Sequence, residues 1–147
     1  MTETEANDLE ESSFYHVCFT VPDLTAAMDE LTRMVGVSWG EPTESQLGPW
    51  PYTLVFSTEH PHFELVSSVE GSPWYSEKPG FHHIGWWSNC LDRTMASWAA
   101  HGGESFFDGR GYGRNFGYVD ALASGVLLEA VGMQQREAFV RRWQGGS

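Results

Sequence analysis

The chain repeats itself. Shifted by 67 positions (81 − 14), the segment 14–36, FYHVCFTVPDLTAAMDELTRMVG, falls on 81–103, FHHIGWWSNCLDRTMASWAAHGG. Phe14 meets Phe81, His16 meets His83, Leu24 meets Leu91, Met28 meets Met95 and Gly36 meets Gly103, with Val17 on Ile84. A duplication constrains the fold more than composition does. The two copies should share one local structure, and a unit this short rarely buries its apolar face alone.

Each copy reads as strand, turn, amphipathic helix and glycine stop. Leu24, Ala27, Met28 and Leu31 recur at helical spacing before Gly36, and Leu91, Thr94, Met95, Trp98 and Ala99 do so before Gly102–Gly103. Pro22-Asp23 opens the first helix, and Asn89 is the expected N-cap of the second. Short β-compatible runs follow: YTLVFST and HFELVSS in the first copy, ESFFDG, NFGYVDA and GVLLEAV in the second. The expected class is α+β. One domain spans 14–133, with module one at 14–70, a Ser/Gly/Pro-rich linker at 71–80 and module two at 81–133. The acidic opening, residues 1–13, lacks periodicity and is predicted to be a disordered tail. The 134–147 tail spaces Phe139, Val140 and Trp143 for a short helix that could dock on the domain or on a second subunit as a homodimer.

Composition narrows the partners. Eight Lys and Arg against twenty Asp and Glu give a net charge of −12. That argues against nucleic acid and against an anionic membrane surface, both of which need clustered cations. No long apolar run and no signal sequence is visible. Two cysteines, Cys18 and Cys90, without a CxxC motif, fit free thiols and a cytoplasmic location.

The repeat also pairs chemistry. Each copy places a histidine on its first strand and a glutamate on its last: His16 and Glu64, 48 positions apart, and His83 and Glu129, 46 apart. Strand parity separates His83 from its neighbour His82, which matches Tyr15 and points away. Two imidazoles and two carboxylates suit a divalent ion such as Zn, Ni, Co, Mn or Fe, and without a cation their joint burial is costly. An ion with open positions can polarise a carbonyl while a neighbouring carboxylate moves a proton.

At these residues, HVCFTVPDL, FELV, HHIGWW and GVLLEAV, the sequence resembles the vicinal oxygen chelate superfamily, which includes glyoxalases, methylmalonyl-CoA epimerase, bleomycin-resistance proteins and extradiol dioxygenases. The resemblance covers residues 14 to 133. It implies two tandem βαβββ modules, curled mixed sheets around a shared metal cleft, with His16, Glu64, His83 and Glu129 as ligands. Extradiol dioxygenases lack the ligand at the position of Glu64, so its presence favours the glyoxalase-like and epimerase-like branch. The expected function is therefore a divalent-metal-dependent isomerase, epimerase or lyase. It would act on a small molecule with vicinal oxygens or an activated α-proton, with Glu64 or Glu129 as the base. One alternative is a binding or resistance protein that sequesters an aromatic drug or natural product; a further one is an Fe(II) extradiol dioxygenase. Candidate pocket residues are Trp50, Trp87 and Cys18, together with His62, which shares the parity of Glu64, and Arg114, from the glycine-rich DGRGYGRNFGY.

Overall fold

Strand β1, Leu9–Val21, opens the part of the chain that the computed structural model describes, residues 9–143. Residues 1–8 of the expected disordered tail lie outside the described residues. Its remainder differs from expectation: Leu9–Ser13 extend β1, five residues ahead of the predicted start at Phe14. There follow α1 (Leu24–Val35), β2 (Thr43–Leu47), β3 (Trp50–Phe56), β4 (His62–Ser67), β5 (Gly80–Ser88), α2 (Leu91–Ala100), β6 (Glu104–Asp108), β7 (Phe116–Ala121), β8 (Val126–Gly132) and α3 (Arg136–Trp143). The fold is α+β, two βαβββ modules in tandem.

The chain divides into two compact units whose boundaries fall inside β1, β5 and α3, not in the linker. Of the described residues, the first unit holds His16–His82 and 138–143, and the second holds 9–15 and His83–Glu137. In the first, the strand order is β2-β3-β4-β1, with β1 parallel to β4 and the other pairs antiparallel. In the second, the order is β5-β8-β7-β6, again with the first strand parallel to the last. The duplication seen in sequence is thus a duplication of topology.

Local signals set the helices. Asp23 caps α1, its carboxylate accepting from the Ala26 amide at 3.0 Å. Gly36 stops it in the left-handed conformation at φ 75°, where a Cβ would be strained. Leu24, Ala27, Met28 and Leu31 turn towards Phe19, Val21, Val55 and Leu65 of the sheet. Trp39 pins the far end, its indole N–H shared between the Met28 carbonyl and the Thr32 hydroxyl, each at 3.1 Å. In the second unit Leu91 and Met95 of α2 pack on Val119 and Ala130, with Trp98 alongside. The N-cap of α2 is Cys90, one residue past the expected Asn89; its side chain makes no capping hydrogen bond, while its carbonyl accepts from the Thr94 amide at 3.0 Å. Ser88 and Thr94 brace this corner instead, their buried hydroxyls 2.7 Å apart.

The glycine-rich segment between β6 and β7 is a short 3₁₀ turn, Gly109–Tyr112. It closes tightly: a Cβ on Gly109 would stand 2.7 Å from the Phe116 carbonyl oxygen and 2.8 Å from its ring. In the C-terminal tail, Phe139 of α3 packs against Phe56, ring centroids 5.5 Å apart. The side chain of Trp143 lies outside the described residues.

Candidate metal-binding pairs

Each unit builds a His–Glu pair in the same way. In the first, the register of β1 and β4 sets Cys18 opposite Glu64 and His16 opposite His62. The ligand face therefore carries His16 diagonally across from Glu64, and the His16 Nε2 lies 3.1 Å from a Glu64 carboxylate oxygen. In the second, β5 and β8 set Gly85 opposite Glu129. His83 is again diagonal, its Nε2 3.0 Å from a Glu129 oxygen. Both imidazoles are 1% exposed, and the carboxylates are 12% and 10% exposed.

The strand beyond each glutamate supplies a ring. Phe56 sits opposite Glu64 and meets His16 edge-on at 5.5 Å. Tyr118 sits opposite Glu129 and packs on His83 at 4.8 Å. Unequal hairpins hide this equivalence from the sequence: Phe56 precedes Glu64 by eight residues, Tyr118 precedes Glu129 by eleven. Cross-strand register is the signal that finds them, and it requires the turn lengths.

The donor chemistry can be tested against a cation. A neutral imidazole lone pair facing a carboxylate oxygen at 3.0–3.1 Å is repulsive unless a proton or a metal ion lies between them. Two donors about 2.1 Å from one ion, at about 90° to each other, stand about 3 Å apart, so each pair fits adjacent positions on a divalent ion. The Cys18 Sγ–H donates to the Phe19 carbonyl at 3.8 Å.

The other candidates are distributed as follows. Cys18 and His62 line the ligand face of the first unit, both buried. Trp50 is half-buried at the head of β3, with its indole nitrogen beside Gly71 of the linker. Trp87 is 4% exposed and stacked on Tyr15, centroids 3.9 Å apart and planes 10° from parallel. Arg114 is half-buried after the 3₁₀ turn, its amide donating to the Gly109 carbonyl at 2.9 Å. Its neighbour Arg110 is committed elsewhere, to Asp108 at 2.8 Å and Asp92 at 2.7 Å, which holds the Asp108 carboxyl below its usual range. His82 donates its Nε2–H to the Pro73 carbonyl at 2.7 Å and so ties the linker to β5.

His62 has a consequence for stability. Burial pushes its pKa below the ordinary 6.5, against the hydrogen bond its Nδ1–H donates to the Ser57 carbonyl at 2.7 Å; the nearby His60 and His16 push in the same direction as burial. The folded state then binds fewer protons here than the unfolded state, so this contribution is complete above 6.5 and is lost as pH falls below it. In urea unfolding of metal-free protein over about pH 5 to 7, His62→Gln is expected to show a shallower loss of stability on the acid side than the parent chain.

Two βαβββ units, each with histidine on the first strand facing glutamate on the last, define a vicinal oxygen chelate fold. The chain belongs to the Glyoxalase/Bleomycin resistance protein/Dioxygenase superfamily, whose family profile matches residues 15–118. Among curated proteins none matches. Solved structures similar to it include methylmalonyl-CoA epimerase from Mycobacterium tuberculosis, 17% identical with a TM-score of 0.62 over 87% of this chain and 92% of that one. A variant of Streptomyces coelicolor methylmalonyl-CoA epimerase, in complex with 2-nitronate-propionyl-CoA, is 15% identical with a TM-score of 0.64 over 84% and 94%. A hypothetical protein from Bacillus halodurans is 16% identical with a TM-score of 0.64 over 81% and 92%. At these identities the likeness is one of fold. Among the described residues no helix is long and apolar enough to cross a membrane.

Proposed function

We propose that His16, Glu64, His83 and Glu129 hold one divalent ion, and that the protein moves a proton next to the carbonyl of a small molecule as an isomerase, epimerase or lyase. The observation that carries this reading is the doubled pair: a buried histidine nitrogen 3.0–3.1 Å from a buried carboxylate, made by the same strand register in both units. Membership in the superfamily and the fold likeness to methylmalonyl-CoA epimerases support it. A bound ion would supply Lewis acidity towards a substrate oxygen. The chain's own part is to fix the imidazoles, keep water scarce around Glu64 and Glu129, and let one carboxylate take the α-proton and return it. The two glutamates differ in room: Glu64 faces Cys18 across the strands, whereas Glu129 faces Gly85, which has no side chain.

Solvent-deuterium incorporation tests the reading. Metal-loaded protein is expected to exchange the α-proton of at least one member of a panel of 2-substituted acyl thioesters and α-hydroxy ketones. The panel includes uncharged compounds, because a net charge of −12 disfavours a polyanionic carrier such as CoA. Glu→Gln at the base should lower the exchange rate by about 10²–10⁴. Absence of exchange across the panel, combined with tight binding of an aromatic compound that survives chelation, would point instead to a sequestering protein.

A further inference from the structure

Helix α1 does not seal the sheet beneath it. None of its residues is fully buried, although Leu24, Ala27, Met28 and Leu31 turn inwards. Between the helix and strands β1 and β4 runs a groove of about 520 Å³, within the first unit. This lies in the size range of small-molecule pockets. Its floor is apolar, built from Phe19, Val21, Phe63 and Leu65, and the small Ala26 and Ala27 leave it open from above. Two of the lining side chains are aromatic: Phe19 stands 6.3 Å from Phe63, tilted by 63°, and 6.1 Å from Phe81, tilted by 70°. Pro79 and Gly80 complete the lining, and Phe81, next in the chain, is half exposed.

The charged side chains lining this groove are all of one sign. They are Asp23, the N-cap of α1, and Glu30, about two helix turns further on; neither Arg33 nor Lys78, close by in sequence, lines it. Asp23 uses one carboxylate oxygen to cap the helix, which leaves the other for a ligand. Aromatic faces with carboxylates above them attract a cation that carries its own apolar body: the quadrupoles of the rings and the carboxylate charge act in the same direction. A fatty acyl chain or an anionic ligand would gain the apolar contact but meet the carboxylates. The chain's net charge of −12 strengthens this preference at long range.

We propose that the groove between α1 and strands β1 and β4 is a binding site for a small hydrophobic organic cation, an alkylated amine or quaternary ammonium with an aromatic or branched alkyl body. The site stands apart from the His–Glu pairs and does not depend on the reading given for them.

The test is amide chemical-shift mapping of the full chain with two probes of one shape, benzyltrimethylammonium and its uncharged isostere neopentylbenzene. Benzyltrimethylammonium is expected to shift Ala26, Ala27, Leu31, Phe63 and Leu65, and to bind about tenfold more tightly than the isostere. Added salt should weaken the cation and spare the isostere. The double substitution Asp23→Asn and Glu30→Gln, in which asparagine still caps the helix, should bring the cation down to the level of the isostere. Ala26→Leu, a helix-compatible plug, should abolish binding of both while spectra elsewhere stay unchanged. Equal affinity for the two probes, preference for decanoate, shifts that depend on protein concentration without any probe, or no response on α1 at saturating benzyltrimethylammonium would each overturn the proposal.

Discussion

Replacing His83 with alanine is expected to weaken divalent-ion binding by more than about 100-fold, since even residues that merely support a metal ligand are worth about 10–100-fold. Replacing His16 should do the same. The equality of the two effects is the informative part. His16 pairs with Glu64 in one unit and His83 with Glu129 in the other, each at 3.0–3.1 Å. If the two pairs serve a single ion, elemental analysis of the parent chain gives one ion per chain, and either substitution alone removes it. If each pair holds its own ion, the parent chain carries two and each variant retains one. Stoichiometry therefore separates a shared site from two half-sites without any reference to turnover. A third outcome, no tightly held ion in the parent chain and no change in the variants, would mean that each His–Glu pair holds a proton instead, and the proposed chemistry would lose its basis. Added zinc, cobalt, nickel and manganese should each be tried, because a mixed nitrogen and oxygen donor set accepts all of them.

Much of this arrangement was legible before any coordinates, for a physical reason. A strand with a buried face repeats every two residues and a helix every 3.6, so a duplicated pattern carries both the elements and the parity of each side chain. That is how His83 separates from His82. In the structure His83 faces Glu129, while His82 reaches back to the linker carbonyl of Pro73. The same parity sets Phe19 and Val21 under α1. Strand β2 was not legible from the residues. Its sequence, TESQL, lies at the sheet edge, pairs among the described residues only with β3 and buries fully only Leu47, so it has no apolar alternation to read. The start of β1 was missed for a related reason. Leu9–Ser13 lie in an acidic stretch, and acidity without periodicity reads as a tail. The unit boundaries were also not legible. Composition places a break in the linker, but contacts place the breaks between Tyr15 and His16, between His82 and His83 and between Glu137 and Ala138. Phe14 packs on Trp86 at 5.9 Å and Tyr15 on Trp87 at 3.9 Å, so the head of β1 belongs with rings some seventy residues later. Contacts of that range leave no local periodicity.

Those same rings carry the largest expected effect on stability. Trp87→Ala is expected to cost about 3–5 kcal/mol, the range for removing a buried aromatic side chain. For a chain of this size that is a fall in Tm of roughly 10–20 °C. Trp87 is 4% exposed and Tyr15 is 2% exposed, and the two lie face to face within one unit. Truncation removes the apolar area of the indole and leaves the Tyr15 ring without its stacking partner, an interaction worth about 0.5–1.5 kcal/mol beyond burial. Trp87→Phe keeps a ring in place and should recover more than half of the loss. Trp50→Ala, at a half-buried position at the head of β3, should cost markedly less. A double-mutant cycle with Tyr15→Ala isolates the pair: the two losses should fall short of additivity by about the stacking energy, because either substitution alone already removes the contact. The comparison also decides between packing and recognition for this residue. A packing residue lowers Tm and leaves ligand affinity intact in the surviving folded protein. Were Trp87→Ala to melt with the parent chain and yet lose affinity for an aromatic ligand, the indole would be a pocket wall, and the cohesion of this unit would have to come from elsewhere.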